Sequence, residues 1–140
     1  MMSFILIALA GMLNATYEIL FVGFDQSIFS NLKADFWNPM KSWKNKWASP
    51  YPQKTIPYWW YFGFYPRYKE RFPHSSTMFV WLTDAWHLFK ALMLACIMLA
   101  IVSYSVVFNP FVDFILLYVT FTFVFTIFFE YIFRKPITKL

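Results

Sequence analysis

Residues 110–133 read PFVDFILLYVTFTFVFTIFFEYIF. In water, a run so rich in Phe, Thr, Val and Ile suggests a β-strand. Its length argues otherwise. A hydrocarbon layer about 30 Å thick is crossed by about 20 predominantly apolar helical residues, and this run carries only two charged side chains, Asp113 and Glu130. Inside lipid, every backbone N–H and C=O must be satisfied within the segment, which a helix achieves and an isolated strand does not. Asn109 supplies a capping side chain and Pro110 suits the first helical position.

Two further segments share this character. Residues 77–104 read TMFVWLTDAWHLFKALMLACIMLAIVSY, and residues 2–24 read MSFILIALAGMLNATYEILFVGF. Ser75 precedes the second as its expected cap. The second and third are separated by so few residues that they are expected to form an antiparallel hairpin. The first has no Lys or Arg ahead of its apolar stretch, so it reads as a retained span rather than a cleaved signal peptide. The chain therefore reads as an all-α integral membrane protein, a single membrane domain over residues 1–140. Three transmembrane helices fall at about 2–24, 77–104 and 110–133, with a large loop at 25–76 and a basic tail at 134–140.

Composition agrees. Hydrophobic residues make up 60% of the chain, aromatic residues 25% and charged residues only 14%, against about 25% charged in soluble domains. The lone cysteine, Cys96, excludes an intrachain disulfide and a cysteine-based metal site, and reads as a small buried hydrophobe. With three glycines there is no phosphate-binding glycine loop, and neither a nucleophile elbow nor an HExxH motif occurs. Enzymatic activity and a cofactor are not expected.

The cations set the topology. Eight of the twelve Lys and Arg residues lie between the first and second segments: Lys33, Lys41, Lys44, Lys46, Lys54, Arg67, Lys69 and Arg71. Arg134, Lys135 and Lys139 lie in the tail, and only Lys90 lies within a span. An odd number of spans puts loop and tail on one side. The excess of cations then places both in the cytoplasm and the N-terminus outside.

The loop is too aromatic to be disordered. After Asn38-Pro39, the positions Phe36, Met40, Trp43 and Trp47 fall on one helical face, with Lys41, Lys44 and Lys46 around it. This pattern predicts a short basic amphipathic helix at the membrane surface. Trp37, Trp43, Trp47, Trp59 and Trp60, with those three lysines, are the candidate lipid-interface residues. Anionic lipid of the inner leaflet is the expected contact. Alternatively, the loop packs as a cap over the helix ends. No nucleic-acid partner is expected, because membrane proximity explains the same composition.

Ionisable groups within spans call for a functional reading. Asn14 and Glu18 share a face of the first segment with Ala8, Gly11 and Ala15, and Gly11 with Ala15 permits close helix contact. Asp84, His87 and Lys90 follow one another at spacings of three in the second, and Glu130 lies near the end of the third. The topology brings Glu18, Asp84, His87 and Glu130 into the inner half of the membrane, where they are expected to converge as a polar cluster with Asn14 and Lys90. Three readings follow. The first is a hydrogen-bonding network that holds helices together, the second a proton or ion path through an oligomeric channel, and the third a metal site at Glu18, Asp84 and His87. The leading functional expectation is a non-enzymatic accessory or assembly subunit of a membrane complex, or a homo-oligomer.

Overall fold

The computed structural model describes residues 1–52 and 68–136. Five α-helices occur among them: α1 (Met2–Gly23), α2 (Ala34–Trp37), α3 (Pro39–Ser42), α4 (Ala85–Val102) and α5 (Pro110–Thr126), the last continued by a π-helical turn, Ile127–Ile132. No strand is present among the described residues, only two isolated bridges. Three helical stretches are long and apolar enough to cross a membrane: Met2–Gln26, Ala85–Val102 and Pro110–Ile132.

Helix α1 lies between the other two. Of its most apolar stretch 39% is buried, against 17% for α4 and 6% for α5. Its residues Ala10 and Leu13 pack with Cys96, Met93 and Ile97 of α4, and Leu20 and Phe24 pack with Ala85 at the start of α4. Ala15 and Ile19 face Phe125, Phe128, Phe129 and Phe133. Hence α4 runs antiparallel to α1 and α5 runs parallel to it. Small residues make this possible. A Cβ on Gly11 would lie 2.6 Å from the backbone carbonyl oxygen of Phe121, so only glycine lets the two backbones approach this closely. The expected hairpin of the second and third spans is therefore corrected: α4 and α5 are antiparallel, but each packs mainly on α1 rather than on the other.

Helix α5 starts where its sequence directs. Asn109 Oδ1 accepts from the Phe111 and Val112 amides at 3.1 and 3.0 Å, with Pro110 in the first turn. Its threonines turn inward on their own helix: Thr120, Thr122 and Thr126 donate to carbonyls three or four residues back, which leaves no unmet hydroxyl in an apolar setting. Helix α4 does not start where expected. Ser75 is not its cap, because the Ser75 hydroxyl donates to the Lys46 carbonyl at 2.6 Å. Residues 77–84 form turns, and the cap is Asp84. The remaining 18 residues span about 27 Å at about 1.5 Å each.

The single amphipathic helix expected in the loop is also corrected. Asn38 caps α3 by accepting from the Met40 amide at 2.9 Å, but it also ends α2, since a residue before proline is biased out of the helical region. The two pieces form a bend. Phe36 and Trp37 turn toward Leu20, Phe24 and Phe89, while Met40 is 80% exposed. Asn45 donates to the Thr83 carbonyl at 3.0 Å. Lys46 and Ala48 pair with Arg71 and Lys69 across the loop. The described part of the loop thus covers the adjoining ends of α1 and α4. The tail joins the same end: the Ile28 amide donates to the Phe133 carbonyl at 2.9 Å and the Lys135 amide to the Gln26 carbonyl at 2.7 Å.

Candidate functional site

The polar residues of the spans do not gather into one cluster. Asp84 and His87 form a pair inside the first turn of α4. Asp84 is 2% exposed. Its carboxylate accepts from the His87 amide at 2.9 Å and the Thr83 hydroxyl at 3.0 Å, and lies 2.7 Å from His87 Nδ1. Both residues therefore sit at the helix start, not two to three turns inside it. The reason is local: a carboxylate is among the best acceptors for orphan amides at a helix N-terminus.

The others are elsewhere. Lys90 is exposed, with its ammonium 5.4 Å from the Trp86 ring and 5.7 Å from the Tyr17 ring. Those rings stack at 5.1 Å, so Lys90 caps an aromatic pair that joins α1 to α4. Glu130 is exposed and pairs with Arg134 at 2.7 Å. Asn14 and Glu18 are half-buried and make no hydrogen bond or ion pair among the described residues. Nor do Glu18, Asp84 and His87 form a metal-binding trio: no group of three or more His, Cys, Asp or Glu side chains among the described residues could hold a metal ion.

Of the loop residues, Trp37 is half-buried, parallel to Phe29 at 5.4 Å and 5.9 Å from Phe89. Trp43 is 40% exposed and meets Tyr51 edge-on at 5.3 Å. Trp47 lies against Tyr51 and Tyr68. The lysines 44 and 46 lie over the rings of Trp43 and Trp47 at 5.7 and 5.6 Å, and Lys41 is exposed. Trp59 and Trp60 lie outside the described residues.

Glu70 organises the far arm of the loop. It accepts from the His74 amide at 2.9 Å, from the Ser76 amide at 3.1 Å and from the Ser76 hydroxyl. Burial pushes its carboxyl up, but the Ser76 and His74 hydrogen bonds more than offset this and hold it below the usual carboxylate range.

Two cavities open in this end of the protein. The larger, about 510 Å³, has Lys44, Trp47, Tyr51 and Arg71 on its walls. The smaller, about 310 Å³, is lined by Ser42, Trp43 and Lys46 from α3 and the turn after it and by Asp84, Trp86 and His87 at the start of α4. Ser42 Oγ and Trp86 Nε1 are buried without a hydrogen-bond partner among the described residues, and other atoms of both residues line this smaller cavity. Neither was a candidate by sequence, since a tryptophan beside a histidine and a serine in a basic segment carry no signal until their surroundings are known. No protein family, curated protein or solved structure was found to match this chain.

Proposed function

We propose that this chain is a non-enzymatic, multi-pass membrane protein that acts as an accessory or assembly subunit, joined either to other membrane subunits or to further copies of itself. In this reading the N-terminus lies outside, and residues 25–76 and the C-terminus lie in the cytoplasm. The orientation draws on the eight cations of the loop and three of the tail. The pairing of residues 26–28 with 133–135 supports a common side for both.

The observation that carries the subunit reading is the pair Asn14 and Glu18. They lie one turn apart on α1, half-buried, with no partner among the described residues. A polar group left unpaired in hydrocarbon costs several kcal/mol, and a second subunit can supply the missing donors. The conducting alternative is less favoured, because Asp84 is engaged in capping and Glu130 pairs with Arg134. The test is the mass of the particle in mild detergent, with identification of what travels with it. The reading expects a particle larger than one 16.9 kDa chain, weakened when Asn14 and Glu18 are both replaced by Leu. A lone chain without a companion contradicts it.

A further inference from the structure

The side of the bundle that α1 and α4 share carries one acid and one cation that stay apart. Asn14, Tyr17, Glu18 and Phe21 recur at spacings of three and four and so share a face of α1. Trp86 of α4 stacks on Tyr17 at 5.1 Å and meets Phe21 at 5.8 Å. Lys90, one turn further along α4, lies over the rings of Tyr17 and Trp86. The Lys90 side of α4 is therefore continuous with the Glu18 side of α1. Because Lys90 reaches Tyr17, the residue before Glu18, the two charges also lie at about one depth. Yet neither Glu18 nor Lys90 belongs to an ion pair among the described residues. Ionisable side chains inside a span are costly, and they ordinarily pair with one another.

Around these charges the face is apolar and open: Phe21 is 61% exposed, and Leu94, one turn beyond Lys90, is 45% exposed. The charges indicate what covers it. A two-fold axis along the membrane normal keeps every residue at its depth and exchanges left for right. Two copies facing each other across such an axis bring Glu18 of each to Lys90 of the other. Both pairs then form at once, as in the self-complementary contact of a symmetric dimer. A different protein matches this face only if it carries both charges at this depth, whereas a second copy always does. We propose that this face is the contact between two copies of the chain, closed by two Glu18–Lys90 ion pairs. The same contact offers polar partners to Asn14, whose amide both donates and accepts.

The proposal rests on the subunit reading and names its partner. For the test, two copies of the whole chain with different affinity tags are expressed together and captured by one tag in mild detergent, and the second tag is measured. Wild-type copies are expected to capture each other in a particle of two chains. Glu18→Lys in both copies sets cation against cation, and Lys90→Glu in both sets acid against acid. Each is expected to weaken association about tenfold. One copy of each kind restores both ion pairs, and this mixture is expected to associate like the wild type. A mixture no better than either variant alone overturns the proposal. So does recovery only when both changes sit in the same chain, which marks a pair within one chain. Should either charge reversal fail to fold by itself, Glu18→Gln and Lys90→Gln carry the same comparison: either one in both copies leaves no ion pair across the contact, and the mixture leaves one. A single copy held by a different protein overturns this inference and keeps the subunit reading, whereas a lone chain overturns both.

Discussion

Two buried aspartates mark the starts of α4 and α5, at opposite ends of the bundle, and they are used differently. Asp113, just after the turn into α5, is fully buried. It accepts from the Val107 amide at 2.8 Å, the Phe108 amide at 3.2 Å and the Tyr104 hydroxyl at 3.0 Å. All three donors belong to the short connection before it, so this carboxylate closes one end of the bundle. In keeping with that, burial and the Asp113 contact together push the Tyr104 hydroxyl above its ordinary pKa. Asp84 at the other end has an equally local set of partners, but they include an imidazole, and close to it Trp86 Nε1 is buried with no hydrogen-bond partner among the described residues. Burial and charge are thus alike at the two ends. What differs is whether the surrounding polar groups have all found partners, and only the Asp84 end leaves some over.

The comparison can be broken at the helix both ends share. Gly11→Val places side-chain atoms against the Phe121 carbonyl, and neither backbone can yield without parting α1 from α5. Forcing extra volume into a closed contact costs about 1–3 kcal/mol, so this variant is expected to show the largest fall in thermal unfolding midpoint in detergent. Asp113→Ala follows. It strands the Val107 and Phe108 amides, and its midpoint is expected to fall by more than that of any change at Asp84. Asp84→Asn keeps an acceptor for the first turn of α4 but weakens the contact with His87, at a cost of about 1 kcal/mol. Faster hydrogen exchange at the His87 and Leu88 amides, with no change at Val107, would show the two ends to be independent. The smallest effect is at Glu70. Because its carboxyl is held below the usual range, its stabilisation of the turn at 70–76 is present above the ordinary carboxylate pKa and lost as pH falls through the folded value. The Ser76 amide resonance is expected to shift on acidification below the ordinary carboxylate range in the wild type, and not in Glu70→Gln.

How much could be read beforehand depended on how local the physics was. The start of α5 was legible in Asn109-Pro110, because a cap and the amides it serves lie within three residues. The start of α4 was not: Ser75 has the right chemistry for a cap, but its hydroxyl serves the Lys46 carbonyl, far away in the chain. The small face of α1 was visible in Gly11 and Ala15. Its partner was not, since Phe121 is remote in sequence and nothing in a run of phenylalanines says which turn will be approached. The expected polar cluster dissolved for the opposite reason. Asp84 and Glu130 each had a partner within four residues, His87 and Arg134, and near partners outcompete distant ones. Ser42 and Trp86 became informative only once folding had buried them without partners.

The central claim is three crossings, with the basic loop and the tail at one end of the bundle and the 103–109 turn at the other. Cysteine accessibility in sealed membranes tests it most directly. In a Cys96→Ser background, single cysteines replace Asn31, Ser105 or Pro136 and meet an impermeant thiol reagent applied from one side at a time. Positions 31 and 136 are expected to label together from one face and position 105 from the other. Labelling of 105 from the same face as 31, or of 31 and 136 from opposite faces, would contradict it.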